Sequence, residues 1–482
     1  MIAQRIRVVG VGAGLALLLP LWVSAQTPAD TLRLSLDQAV ERALETGEEV
    51  QLVRESIIQA EEEITQVRSG ALPQVSGNLT YNRQLRSIFD DLGGAAPPDN
   101  GMDGEDPFAG LPFGRPNTWI ASLSINQTLY AAGQVSIGLD IADRVRSLLQ
   151  YELEEVRAEL SQEVRQAYFQ SVFTTLLIEI AEEAWELADR QLREVEDFER
   201  QGVASELDVL TARVERDNLE PAIVDATNGA RLALQNLRRL VNLPRDQPLE
   251  LTTELEAELL DVDREALEAA VRDRAALRAA EEMIRIEEDQ VRLARAGYRP
   301  TAAAFAEFGY QSFPTTVFPQ DEWREDWVVG VQLSVPIFNG FRTRAEVAEA
   351  RSGVRQSELE YRQAEEGLLL EFDQVMAEFD ASLTQVEARR GTVEQADRAL
   401  ELAELRFAAG SATALELSNA RLNLQQARVN EVESLLNYVD ALARLERVSG
   451  GGISLLAPRI REASGPAPEG AASPSEHDQT NG

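Results

Sequence analysis

The stretch Gly202-Val-Ala-Ser-Glu-Leu-Asp208-Val-Leu-Thr-Ala212-Arg213 returns 208 positions later as Gly410-Ser-Ala-Thr-Ala-Leu-Glu416-Leu-Ser-Asn-Ala420-Arg421. The same offset of 208 sets Trp119 on Trp327 and Leu129-Tyr130 on Ile337-Phe338. Nearer the start the offset is 227, where Arg68-Ser-Gly70-Ala-Leu-Pro73 meets Arg295-Ala-Gly297-Tyr-Arg-Pro300 and Val50 meets Leu277. The difference of 19 is a single insertion in the first copy, between Pro73 and Trp119. It contains Asp90-Asp-Leu-Gly-Gly-Ala-Ala-Pro-Pro-Asp-Asn-Gly101, which has the composition of a loop. Two constant offsets separated by one localised insertion identify an internal duplication, and the fold must be built from two equivalent units.

Within one unit the local signals are ordered. Ser35 followed by Gln38 is a capping box that starts a helix at Leu36. The helix pauses near Gly47 and continues to about Ser69, with Val50, Val53, Ile57, Ile64 and Val67 at helical spacing. Gly70 and Pro73 end it, as Gly297 and Pro300 end its counterpart. The pattern then changes to period two. Trp119, Ala121, Leu123 and Ile125 alternate with Ser122, Ser124 and Asn126; Trp327, Val329, Val331 and Leu333 alternate with Gly330, Gln332 and Ser334. Each segment starts on Trp and runs about ten residues, the length and pattern of a transmembrane strand. A soluble, half-buried sheet alternates in the same way. The partner strands are fainter, marked by Val75, Leu79 and Tyr81 and by Phe308 and Tyr310.

After each second strand the helical period returns and persists. No proline interrupts Gln134 to Gln201, and Ile137, Ile141, Val145, Leu148, Leu153, Val156, Leu160 and Val164 keep three-four spacing. A helix of that length reaches roughly 100 Å, which only a coiled coil or a helical barrel gives something to pack on. Gly202 and Gly410 turn the chain, and a second helix returns to about Val241 in one copy and Val448 in the other. Pro221 predicts a kink in the first return helix.

Composition narrows the function. Arg5 and Arg7, the apolar run Val8–Leu19 and Val23-Ser24-Ala25 predict a secretory signal cleaved before Gln26, the alternative being an uncleaved membrane anchor, for which the apolar run is short. With no Cys after the signal there is no lipid anchor and no disulfide or thiolate metal site. The only histidine, His477, lies in a Gly-, Pro-, Ala- and Ser-rich tail, so neither a catalytic triad nor a histidine metal centre has a basis. The acidic residues number 82 against 46 basic ones, every one of the latter Arg, for a net charge of −36. Nucleic acid, which needs net basic patches, is not a partner. No cofactor, metal or enzymatic activity is predicted.

Four strands cannot close a barrel, and an open edge is not tolerated in lipid. Closed membrane barrels have eight or more strands, which two chains reach with eight and three with twelve. A secreted chain with a shared barrel and a ~100 Å helical extension describes a tube, whose chemistry is passage. The alternatives are a non-conducting structural coiled-coil protein of the envelope, which leaves the Trp-led strands unexplained, and a carboxylate-dependent hydrolase, which leaves the duplication unexplained.

The sequence resembles the TolC-like outer-membrane efflux protein family, the outer-membrane factors of tripartite export systems, over nearly its whole mature length. The resemblance rests on Leu34-Ser-Leu-Asp-Gln-Ala-Val40, Arg68-Ser-Gly-Ala-Leu-Pro73, Pro336-Ile-Phe-Asn-Gly340 and the glycine turn with Glu416 and Ala420-Arg421. It implies a mainly α fold with a small membrane β part, in which the duplicated helix–strand–strand–helix unit forms a trimeric 12-stranded β-barrel and a long α-helical barrel. The implied setting is the outer membrane, extending into the periplasm, with outer-membrane lipid, a periplasmic adaptor and an inner-membrane transporter as partners of the homotrimer. The corresponding division is a signal at 1–25, a first repeat at 26–242, a linker at 243–262, a second repeat at 263–449 and a disordered tail at 450–482. The first repeat has strands at about 74–84 and 119–130, an external loop at 85–118 and a coiled-coil hairpin at 134–241. The second has strands at about 301–312 and 327–338 and a hairpin at 342–448.

The resemblance also implies site residues. Acidic residues just after the second helical turn ring the pore constriction; Glu416 takes the first such position and Asn419 the second, leaving one carboxylate of two. Asp208 matches in the first copy. Gly202, Gly410 and Phe407 belong to the tip turns that face the adaptor, with Phe407 where the family often has Tyr. Ala412 stands where some members carry an arginine that ties the tip to the acid. The competing reading of Glu416 and Asp208 is an ordinary solvated helix face.

Overall fold

In a computed structural model the described residues are 31–86, 116–256, 259–314, 316–319 and 323–450. The signal at 1–25, nearly all of the loop at 85–118 and the tail beyond Gly450 lie outside them. The first copy runs β1 (Leu32–Leu34), α1 (Leu36–Thr46), α2 (Glu48–Ser69), β2 (Gln74–Arg83), β3 (Asn117–Tyr130), α3 (Gln134–Arg200), α4 (Glu206–Asp217) and α5 (Glu220–Leu240). The second runs β4 (Leu249–Leu251), α6 (Arg264–Arg272), α7 (Ala275–Ala296), β5 (Thr301–Ser312), β6 (Trp323–Ser334), α8 (Arg342–Ala408) and α9 (Ala414–Val448). Both long helices, α3 and α8, are 67 residues and start and stop at the offset of 208.

The helix signals act as their chemistry requires. The Ser35 hydroxyl accepts from the Gln38 amide at 3.3 Å and the Gln38 side chain accepts from the Ser35 N–H at 3.1 Å, so α1 opens on a complete capping box. Pro221 breaks the return helix rather than kinking it: α4 stops at Asp217 and α5 restarts with the proline in its first turn, where the missing N–H costs nothing. The last strand covers Trp323–Ser334, four residues before the predicted 327–338, because Pro336 has no N–H for the ladder and the pairing reaches up to Trp323 opposite Ser312. The segment read as a linker, 243–262, carries β4, which pairs in parallel with β1 and is pinned by Arg33 on Glu250 at 3.0 Å.

The four long strands form one antiparallel sheet in the order β2-β3-β5-β6, so β2 and β6 are its two edges. The register separates two faces. Tyr81 pairs with Trp119, Leu123 with Phe308 and Phe308 with Trp327, while Ile125, Ala306 and Val329 follow on the same side. The opposite side carries Ser76 with Ser124, Asn78 with Ser122, Glu307, Gln311 and Asp326. On that polar side the Phe305 ring reaches over Gly330, where a Cβ would stand 2.7 Å from Cζ, so a larger residue there would have to displace the ring.

A separate core lies where β1, β4, α1 and α6 wrap the middle of the long helices. Phe372, Phe379 and Tyr438 pack there with Tyr168, Leu237, Leu445 and Val386, each buried side chain contributing about 1.5–3 kcal/mol. The Tyr168 hydroxyl donates to the Leu34 carbonyl at 2.9 Å and accepts from the Thr253 N–H at 2.8 Å, so one buried phenol fixes both short strands to α3. Arg274, 5 % exposed, holds Glu155 at 2.6 Å and so joins the α6–α7 link to α3. This girdle fixes where each hairpin projects towards its tip.

Candidate functional site

Both hairpins end in the same backbone device. In the first, the Gly202 N–H donates to the Glu199 carbonyl and the Val203 N–H to the Phe198 carbonyl; in the second, Gly410 donates to Phe407 and Ser411 to Arg406. This is the paired hydrogen-bond pattern of a helix closed by a left-handed residue, and Gly202 (φ 77°) and Gly410 (φ 69°) supply it without a Cβ clash. Each return helix then opens on a capping box, Ser205 with Asp208 and Thr413 with Glu416.

The two acids therefore have a local duty. Asp208 accepts from the Ser205 hydroxyl at 2.7 Å and from its N–H at 2.9 Å, and these bonds hold its pKa below the ordinary aspartate value. Glu416 accepts from the Thr413 N–H at 3.2 Å and faces the Arg406 guanidinium at 3.8 Å. Asn419 is exposed one turn further on, and Phe407 is half-buried at the end of α8. Phe407, Gly410, Glu416 and Asn419 thus share the second tip, and Gly202 and Asp208 share the first. Asp208 and Glu416 each bond inside their own turn.

An arginine reaches the second tip from the other side of the turn than the family pattern suggested. Arg406 precedes the glycine, donates to the Ser411 carbonyl at 3.2 Å and lies beside Glu416, while Ala412 holds the position after it. The offset of 208 could have flagged it, since its counterpart is the apolar Phe198. A second pair repeats in both copies: Arg213 with Glu196 at 3.0 Å, and Arg421 with Glu404 at 3.7 Å. Arg421 alone reaches further, bonding Gln191 of α3. Burial lowers its pKa while Glu404, Glu194 and Glu215 oppose the shift. Ser418 donates to Glu215 of α4 at 3.0 Å and Arg428 pairs with Glu183 of α3, so three α9 residues tie the second hairpin to the first. They line a cleft of about 720 Å³ beside the α4–α5 break.

Among the described residues, no helix is long and apolar enough to cross a membrane, and no group of three or more His, Asp or Glu is placed to hold a metal ion. A family model described as Outer membrane efflux protein matches residues 39–243 and 266–451, the two repeats in turn. The chain belongs to the outer membrane efflux protein family. The family's proteins are transport proteins of the outer membrane and not enzymes. No curated protein matches the sequence. The fold is similar to a membrane protein from Pseudomonas aeruginosa (TM-score 0.70, 20% identity, 86% of this chain and 93% of that one). It is also similar to the outer membrane protein VceC of Vibrio cholerae (0.67, 18%, 86% and 96%) and to the open state of the Neisseria gonorrhoeae MtrE outer membrane channel (0.67, 18%, 87% and 89%). At these identities the likeness is one of fold: long helices with a small antiparallel sheet.

Proposed function

We propose that three copies assemble into an outer-membrane efflux duct that passes substrates from a periplasmic adaptor and an inner-membrane transporter to the outside. The observation that carries this reading is the sheet: four strands, two unpaired edges, one apolar face and one polar face. Joining β6 of each protomer to β2 of the next closes twelve strands and removes every edge, with the apolar face towards lipid and the polar face towards the lumen. The helices support the same assembly. Leu207 and Val214 on α4, and Leu415 and Leu422 on α9, recur at heptad spacing and are exposed in one protomer. Neighbouring hairpins in a helical barrel would cover them. A trimer that separates on heating in a gel, and steps of ion conductance in a planar bilayer, test the duct; a monomeric, non-conducting protein refutes it.

Within the duct, the tips form the periplasmic constriction, with Glu416, Asp208 and the exposed Asn419 brought into rings by the threefold axis. Gly202, Gly410 and Phe407 shape the turns presented to the adaptor. Arg406 holds the second tip closed in place of the absent arginine at Ala412, and the Arg421 network ties that hairpin to the first. The Glu416 ring favours cations, since like charges drawn together stabilise a counter-ion. Glu416→Ala, read by single-channel reversal potential, is expected to lose most of the cation preference and the block by divalent ions; an unchanged preference sinks that role. Because Glu416 also caps α9, Glu416→Gln separates the two: the cap survives and the selectivity does not.

A further inference from the structure

We infer that Arg238 and Asp373 are sorting charges. Arg238 on α5 pairs with Asp373 on α8 of the next copy, with a polarity opposite to that of the matching pair inside the protomer, so each half of the chain accepts only an unlike half. The inference rests on the duct reading and adds which side chains meet between copies and what selects them.

The helices of one protomer lie in the row α8–α9–α3–α5, which joins the two halves at α9 and α3 and leaves α8 and α5 outermost. At the α9–α3 seam Arg165 meets Glu446 at 3.5 Å, the side chains only 21 % and 20 % exposed. At the offset of 208 these positions become Asp373 on α8 and Arg238 on α5. The backbone keeps them equivalent. Val164 and Phe372, just before the first two, are both buried, as are Leu237 and Leu445 before the others. Both return helices then close on a left-handed residue at the same place, Asn242 (φ 50°) and Gly450 (φ 65°). The place is the same and the signs are exchanged. Within the protomer Arg238 has no acid: its Nε donates to the Gln247 carbonyl at 3.0 Å, and no carboxylate among the described residues lies at ion-pair distance. Asp373 is exposed beside Arg264 of α6.

The neighbouring side chains follow the same rule. Leu370 on α8 is 60 % exposed and Leu232 on α5 63 %, where their counterparts Gln162 and Asp440 are half-buried inside the protomer. Docking α8 of the next copy on α5, as α3 docks on α9, covers these leucines and gives Arg238 its acid, and a head-to-tail contact of that kind closes into a ring. Two tandem copies of one unit are alike enough for like halves to compete: α5 could receive α3 of a second chain, and α9 its α8. The first sets Arg238 against Arg165 and the second Glu446 against Asp373, and like charges at that depth repel with nothing to offset them. Had the outer pair kept the inner polarity, both wrong contacts would attract. The other ion pair across the seam, Arg428 with Glu183, falls on Glu220 and Gly391 and repeats in neither sign, so the selection sits at the girdle end of the hairpins.

The absence of native cysteine makes the contact directly testable. The full-length protein carrying Arg238→Cys and Asp373→Cys is assembled and treated with a short bismaleimide. Covalent dimers and trimers are expected on a denaturing gel, and neither single variant should give them. Trimers that still separate into monomers, though both cysteines have reacted, overturn the contact and leave the duct standing. A wild-type protein that is monomeric before treatment overturns the duct reading itself. Charge exchange tests the sorting. Arg238→Asp or Asp373→Arg alone is expected to lower the temperature at which trimers separate by several degrees, and the two together to restore it. The restored pair has the polarity of Arg165–Glu446, so like halves no longer repel. Refolding of the double variant is therefore expected to yield several-fold more oligomer of the wrong size than the wild type. A separation temperature that stays low in the double variant refutes the pair, and a double variant that refolds as cleanly as the wild type refutes the sorting.

Discussion

Asp440 on α9 is a carboxylate in the wrong place for comfort, with one oxygen buried and lacking a hydrogen-bond partner. Burial pushes its pKa up to about 6, against the pull of Arg444 four residues on. An acid that binds its proton more tightly folded than unfolded makes stability fall as pH rises from about 4 to about 6, and the whole penalty is present above that window. Since the group is partly reached by solvent, the penalty is up to about 2 kcal/mol. Asp440→Asn is therefore expected to raise the unfolding midpoint at pH 7, with the gain shrinking towards nothing below about pH 4. Thermal melts at several pH values check it, and a gain independent of pH would assign the effect to packing. Asp208 runs the other way. Its lowered pKa means that the cap it completes on α4 is present at neutral pH and is lost only when pH falls below the ordinary aspartate range.

At the scale of elements, the question is what keeps the two hairpins of a protomer together near the tip, where the girdle core is far away. Arg421 is the joint, because its one side chain reaches both Glu404 of its own hairpin and Gln191 of the other. Arg421→Ala removes the bridge and takes a bond from the buried Gln191, for about 1–3 kcal/mol. It is expected to give trimers that conduct more, or are open more often, in planar bilayers. Arg213→Ala, which breaks the equivalent pair without a cross-hairpin bond, is expected to change conductance far less; equal effects would locate the latch elsewhere. The sequence made the hairpins legible because long helices, glycine turns and capping boxes are local signals repeated twice at one offset. The joint was not legible, although Arg421 stands in the repeated motif, because which carboxylate an arginine meets depends on how two helices are rotated against each other. The short strands β1 and β4 escaped for a related reason. Leu-Arg-Leu and Leu-Glu-Leu are three residues each and pair 217 positions apart, which leaves no period to read.

For the whole molecule, the sheet's two faces make opposite demands of neighbouring residues, and that contrast tests the duct as an assembly. Val331 and Gln332 are adjacent in β6, on the edge expected to meet the next protomer, and strand geometry sends them to opposite sides. Val331 shares its face with the Phe308–Trp327 pair and is 69 % exposed in one protomer, which in a twelve-stranded barrel is exposure to lipid. Arginine there is expected to cost about 2–4 kcal/mol per protomer near the bilayer midplane, and so to lower sharply the temperature at which trimers separate in lipid. Gln332 shares its face with the serines, asparagines and Asp326 that would line the water-filled lumen. Arginine at 332 is expected to leave trimer stability nearly unchanged and to shift the reversal potential towards anions, because three added charges enter the conducting path. A sheet with water on both sides would tolerate the two substitutions equally. A closed barrel in a membrane would not, and the comparison separates a duct from a coiled-coil spacer that merely carries a sheet at one end.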